Sequence, residues 1–322
     1  MKGLNRFAKY AWTVLAYNLL VILWGVYVRA SGSGAGCGSH WPLCNGEVIP
    51  LAPRIETLVE FAHRSSSGLS LILIVGLIIW AFRAYPKGHP VRLGASLSMF
   101  FIISEALVGA SLVLFGWVAS NAAPGPMSIH LINTFLLLAS LSLTAWWASG
   151  GERLQLAGQG PVLWALVLGG LGVLALGLTG SITALGDTLY PSSTLAEGMR
   201  QDFLPTANFL IRLRVWHPLI AILVGFYLVF ISVLIAMFRS DRWIRRLAIG
   251  LVGLFVLQLT AGLVNLVLLA PIWMQLTHLL LADVVWVTLV LLSAASLAAR
   301  EASSPVVEPT QPAGYAKPQQ VN

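Results

Sequence analysis

The stretch Phe61-Ala-His63-Arg64-Ser-Ser-Ser-Gly-Leu-Ser70-Leu-Ile-Leu-Ile-Val-Gly-Leu-Ile-Ile-Trp80-Ala-Phe82 sets the reading of the whole chain. It carries no charge after Arg64, and it exceeds the roughly 20 residues an α-helix needs to cross about 30 Å of hydrocarbon. Yet an imidazole stands about one turn into it. An ionisable ring at membrane depth is costly, so a histidine there is expected to face a bundle interior and to have a function.

Seven more segments of this kind follow the same pattern, over 11–29, 93–116, 127–147, 161–183, 212–238, 244–269 and 273–298. The 322 residues are 57% hydrophobic and 10% charged, far from the composition of soluble domains. The expectation is an all-α membrane protein with eight transmembrane helices. The net charge of +7 is of the kind that gathers in cytoplasmic loops, and no nucleic-acid partner is expected. The first apolar run, Ala11 to Val28, has no small-residue cleavage site and reads as a span rather than a leader. The Pro-, Ser- and Gln-rich residues 301–322 read as a disordered cytoplasmic tail.

Lys and Arg set the orientation. Lys2, Arg6, Lys9, Arg83, Lys87, Arg92, Arg153, Arg239, Arg242, Arg245, Arg246, Arg300 and Lys317 fall on one side of the predicted topology. Only Arg29, Arg54, Arg64, Arg200, Arg212 and Arg214 fall on the other. Thirteen against six puts both termini in the cytoplasm. His130, His217 and His278 sit in the fourth, sixth and eighth segments as His63 sits in the second, while His40 and His89 lie in polar connections. All four segment histidines are then expected near the outer face, about 5–8 Å from their helix starts at 1.5 Å per residue.

The two halves repeat. His63 and His217 are 154 residues apart, and His130 and His278 are 148 apart. Glu105-Ala-Leu-Val-Gly109 parallels Gln258-Leu-Thr-Ala-Gly262, and the first helices of the halves end in Arg29-Ala-Ser-Gly-Ser-Gly34 and Thr179-Gly-Ser-Ile-Thr183. The offset is an even number of helices, so the repeats share one orientation, related by an axis along the membrane normal. The expected organisation is two pseudo-symmetric four-helix bundles, 1–150 and 151–300. In each, the second and fourth helices face one another across a core that can hold a cofactor. Two imidazoles on either side of a porphyrin make six-coordinate haem iron, so the histidines read as two pairs of haem ligands. Zinc is the poorer guest, because no carboxylate or cysteine joins them at metal spacing.

Other residues leave alternatives open. Arg29, Arg64, Arg212 and Arg214 stand at the outer helix ends and suit haem propionates, or simply snorkel to the interface. Glu60 shares a helix face with His63 and reads as a proton-handling acid or as an acid favoured by a helix N-terminus. No acid precedes His217, where the chain reads Arg214-Val-Trp-His217. The first half is therefore the candidate for a reaction. Cys37 and Cys44, in an outer and oxidising loop, predict a disulfide, either as a structural staple or as a labile redox pair. Glu105 reads as part of a proton path or as an interhelical hydrogen-bond partner.

Val28-Arg-Ala-Ser-Gly-Ser-Gly-Ala-Gly-Cys37, Trp41-Pro-Leu-Cys-Asn-Gly46 and Glu60-Phe-Ala-His-Arg64 resemble the first helix, outer loop and second helix of the haem A synthases. The resemblance covers residues 10–300. It implies an eight-helix enzyme of the bacterial cell membrane that oxidises the ring C8 methyl of haem O to a formyl group through hydroxylated intermediates. Haem A made this way serves terminal oxidases. By the same resemblance His63 and His130 flank the substrate haem, His217 and His278 hold haem b, Glu60 is catalytic, and Cys37 and Cys44 match the family's first-loop pair. Haem O synthase, an electron-transfer partner or quinone, and oxidase assembly factors are the implied partners, with homo-oligomers also in view. The chain departs from the family in two places: residues 184–211 hold no second cysteine pair, and His40 stands where an acid is usual.

Two rivals use the same residues. A di-haem membrane cytochrome that only transfers electrons needs the histidines but not Glu60. A transporter built from repeats places broken, polar helices at the midplane, and these histidines sit near one face.

Overall fold

The computed structural model describes residues 3–119, 124–239 and 241–298. The expected tail, Arg300 and Lys317 lie outside these residues, as does Lys2. Ten α-helices form among them: α1 (Arg6–Ala30), α2 (Ile55–Ala84), α3 (Pro90–Leu114), α4 (Pro124–Ala148), α5 (Pro161–Leu189), α6 (Leu195–Asp202), α7 (Phe209–Leu213), α8 (Trp216–Phe238), α9 (Arg242–Val267) and α10 (Ile272–Ser296). No strand forms among the described residues. With α7 and α8 taken as one span, Phe209–Phe238, eight helices are long and apolar enough to cross a membrane.

Local chemistry sets the helix starts. Asn5 and Asp241 cap α1 and α9 by accepting N–H bonds of the first turn, which otherwise have no partner. Proline occupies the opening turns of α3 and α5, where its missing N–H costs nothing. Inside a span, every backbone N–H and C=O must be satisfied by the helix itself, because hydrocarbon offers no alternative.

The helices outrun their apolar segments. α2 begins at Ile55, six residues before the apolar stretch, because polar residues outside the hydrocarbon continue the same hydrogen-bond ladder. His63 therefore lies eight residues from its helix start, about 12 Å along the axis at 1.5 Å per residue. His130 and His278 lie six residues in, about 9 Å. The expected depth of 5–8 Å was short by about a turn at His63 and nearly met at His130 and His278, whereas His217 is the second residue of α8, with α7 just before it.

Helix contacts close into two cycles. α1 packs on α2, α2 on α3, α3 on α4 and α4 on α1; α5 packs on α8, α8 on α9, α9 on α10 and α10 on α5. Within each cycle the two histidine-bearing helices, α2 with α4 and α8 with α10, stand on the diagonal. α4 and α10 form the central seam, where Trp286 Nε1 donates to the Phe135 carbonyl at 2.6 Å and the two rings stack at 5.6 Å.

The outside is apolar. On α8, Leu219, Leu223, Phe226, Phe230, Val233 and Met237 are exposed at helical spacing, while Leu228, Ile231, Ser232 and Ile235 on the opposite side are buried. Such a surface suits lipid rather than water.

Candidate functional site: two histidine pairs

α2 brings Glu60, His63 and Arg64 together at the mouth of the first cycle. Glu60 is 3% exposed. Its Oε2 accepts the Cys37 N–H at 2.8 Å, and its Oε1 accepts Arg64 Nε at 3.0 Å and Nη2 at 2.5 Å. Arg64 Nη1 donates in turn to the carbonyls of His40 and Leu43, at 2.6 and 2.7 Å. Both carbonyls belong to the loop closed by the Cys37–Cys44 disulfide, which forms as expected. The Glu60–Arg64 pair, one helical turn apart, thus fastens the disulfide loop to the helix that carries His63.

His63 Nδ1 is buried and has no hydrogen-bond partner in the protein. His63 on α2 and His130 on α4 lie on the diagonal helices of the first cycle. On α4, His130 Nδ1 stands 3.3 Å from Glu105 Oε1, without the alignment of a full hydrogen bond. Glu105 is held by α4 itself. Asn133 Nδ2 donates to Oε2 at 2.6 Å, and the Thr134 hydroxyl donates to Oε1. The His130 side chain keeps 30% of its surface open, so the ring is accessible to a planar guest.

In the second cycle, the imidazoles of His217 and His278 have centroids 6.4 Å apart and planes at 84°. Two metal–imidazole bonds of about 2 Å, one on each side of a shared metal, leave ring centroids roughly 6–7 Å apart. Thr179 Oγ1 lies 3.1 Å from His217 Nδ1, and the Gln258 amide meets His278 Nε2 at 3.3 Å. His278 Nδ1 has no partner. Among the described residues no group of three His, Cys, Asp or Glu is arranged around a bare metal ion. Paired imidazoles with unpartnered ring nitrogens fit a haem, whose porphyrin supplies the remaining four ligands.

Four glycines back the four histidines. A Cβ at Gly25, Gly180 or Gly262 would stand 3.0, 3.1 or 3.0 Å from Cε1 of His63, His217 or His278, tighter than most Cβ contacts, so the ring would have to give by a few tenths of an ångström. At Gly109 the distance to His130 Cε1 is 3.7 Å, an ordinary contact. Each glycine sits on the long helix packed before its histidine's helix. Gly25 and Gly180 are 155 residues apart, and Gly109 and Gly262 are 153 apart, close to the spacing of the histidines. Motif reading noticed Gly109 and Gly262 only as parallels. Thr179 and Gly180 were noticed only within the Thr179–Thr183 parallel, and Gly25, Asn133 and Thr134 carried no signal beyond being small or polar in apolar helices.

The arginines separate by role. Arg64 is spent on Glu60 and the disulfide loop. Arg29, on α1, donates to the Ala184 carbonyl, Thr188 Oγ1 and Gln275 Oε1 at 2.8–2.9 Å, tying the first cycle to α5 and α10. Arg214 lies between Asp187 and Asp202, at 3.0 and 2.8 Å. Arg212 is exposed.

Fold and site together define a class: a multi-pass membrane protein with two histidine pairs, each set on the diagonal of a four-helix cycle. The chain belongs to the COX15-CtaA family, described as cytochrome oxidase assembly protein, whose model matches residues 8–290. It is 55% identical over 296 residues to a Thermus thermophilus protein named "Protoheme IX farnesyltransferase", covering 91% of this chain and 49% of that one. It is 36% identical over 141 residues to the "Heme A synthase" of Bacillus mycoides, covering 44% of each. The Bacillus cereus protein of the same name matches equally well. The chain spans about half the length of the curated relatives it matches.

Proposed function

We propose that the chain is a haem A synthase, oxidising the ring C8 methyl of haem O to a formyl group through hydroxylated intermediates. The observation that carries this reading is the chemical inequality of two otherwise matching histidine pairs. His63 and His130 stand beside two acids, Glu60 and Glu105, whereas the corresponding positions beside His217 and His278 hold Arg214 and Gln258, neither of them an acid. In this reading His63 and His130 hold the substrate haem, and His217 and His278 hold a resident haem b. That haem supplies one-electron transfer when bound. Membership of the family and the Bacillus relatives' name support the reaction.

The chain's own residues have distinct tasks here. Glu60, already hydrogen-bonded to Arg64 and Cys37, handles protons only by exchanging one of those partners, so its reactivity is tied to the disulfide loop above it. Arg212, exposed and five residues before His217 in the chain, remains the freest of the proposed propionate contacts; Arg29, Arg64 and Arg214 would have to share existing partners. Both termini are assigned to the cytoplasm and the histidine pairs to the outer side of a bacterial cell membrane, with residues 1–150 the substrate half and 151–300 the haem b half.

A haem O synthase is the proposed partner. The Thermus relative carries the farnesyltransferase name over a chain twice the matched length, which supports a coupling of the two activities. The electron acceptor or quinone and the oxidase assembly factors are proposed on family grounds.

The test is co-expression with a haem O synthase in a host that makes no haem A, followed by chromatography of extracted haems. Haem A, with hydroxylated haem O, is expected. Haem B alone would favour the di-haem electron carrier. Glu60→Ala should abolish product and leave the second-pair haem bound; undiminished product would remove Glu60 from the reaction.

A further inference from the structure

The four histidines differ in what their second ring nitrogen meets. His63 Nδ1 and His278 Nδ1 meet nothing in the protein, and His217 Nδ1 meets the neutral Thr179 hydroxyl. His130 Nδ1 alone faces a carboxylate, Glu105 Oε1, at 3.3 Å. That carboxylate is built in. Asn133 and Thr134, three and four residues past His130 on the same helix, donate to its two oxygens. Ser104 donates to Asn133 Oδ1 at 2.7 Å and fixes the amide's orientation. Oε2 accepts from Asn133, and Oε1 lies between the Thr134 hydroxyl, which also reaches the His130 carbonyl at 3.0 Å, and the His130 ring; a glutamine in this place would turn its NH2 against the Asn133 amide or the ring nitrogen.

The second cycle is the internal comparison. Gln258, 153 residues beyond Glu105, is neutral and meets the other ring nitrogen, His278 Nε2. Glu105 instead leaves His130 Nε2 free. A carboxylate on the far nitrogen of a metal-bound imidazole fixes its tautomer and raises its basicity. An acid at membrane depth is retained at a cost that a glutamine would avoid.

Resting on the haem reading above, we propose that Glu105 is the positioning residue of His130. Its carboxylate facing Nδ1 favours the tautomer protonated there, leaves Nε2 for the haem iron, and makes the first-cycle iron site the more electron-rich of the two. The ferric state of that haem is then favoured relative to the haem held by His217 and His278.

The experiment is a two-component redox titration of the purified full chain loaded with protohaem. Glu105→Gln should raise the lower of the two midpoint potentials and leave the other where it was. It should also weaken haem retention in the first cycle by about 10–100-fold. Glu105→Asp, which keeps the charge but withdraws it from the ring, should give an intermediate shift, and it carries the test if Glu105→Gln does not accumulate. Both haems bound with unchanged potentials in either variant would overturn the inference. If His63→Ala and His130→Ala leave the haem content of the wild-type chain unchanged, the haem reading itself fails, and this inference with it.

Discussion

Three of the four glycines behind the histidines leave room that a larger residue would tighten. At Gly25, Gly180 and Gly262 an added methyl would press to 3.0–3.1 Å on an imidazole carbon. The ring or the helices would have to shift by a few tenths of an ångström, and overpacking of this kind costs about 1–3 kcal/mol. Substituting any of the three with alanine is therefore expected to lower haem content in the affected pair by roughly tenfold or more, since 1.4 kcal/mol is a factor of ten. Gly109→Ala, with 3.7 Å of room, should be close to neutral. Pyridine haemochrome assays on the four variants separate these outcomes; equal losses at all four would show that the glycines serve helix packing and not the rings. The histidines were legible in the sequence because an imidazole is conspicuous in an apolar run. The glycines were not, because small residues are common wherever membrane helices pack closely.

At the scale of elements, the first outer loop and α2 act as one unit. The disulfide closes the loop, and Arg64 and Glu60 attach it to the helix at three backbone points: Cys37, His40 and Leu43. Arg64→Ala would leave the Glu60 carboxylate buried without its cation, a loss of about 3–5 kcal/mol. Arg64→Ala combined with Cys37→Ser and Cys44→Ser should cost less than the sum of the separate changes, because both devices hold the same loop. Thermal unfolding in detergent of the single and combined variants measures this; strict additivity would mean that the loop and helix are independent. The sequence predicted the disulfide from its compartment and the Glu60–His63 face from helical spacing. It gave no sign that Glu60 would point at the loop's backbone, since that depends on how a 24-residue connection from α1 folds over α2. The short helix α6 was equally unseen, because it lies in a polar connection with no sustained periodicity, and the break between α7 and α8 falls just inside the segment expected over 212–238.

At the scale of the whole molecule, orientation is carried by charge. By the reading proposed above, the excess of Lys and Arg on one side would put the Cys37–Cys44 loop outside. In spheroplasts, mild reduction should expose Cys37 and Cys44 to a membrane-impermeant maleimide. Labelling confined to inverted vesicles would reverse the topology. Arg29 links the halves here: it spans from α1 to α5 and α10, and Gln275, one of its acceptors, also donates to the Ala270 carbonyl in the turn before α10. A residue read as a propionate contact is thus committed to the joint between the two cycles. Sequence could not anticipate this, because its partners are 155 to 246 residues away.

The sequence by itself determined the number of spans, the positions of the histidines in alternate spans, and the disulfide. Hydrocarbon thickness fixes helix length, and polar groups inside it are rare enough to stand out. Tertiary structure alone decided which nitrogen of each ring has a partner, which arginines are already committed, and that glycines leave room for the imidazoles. Those facts depend on distances of a few tenths of an ångström between helices far apart in the chain. Periodicity and composition hold no information at that scale.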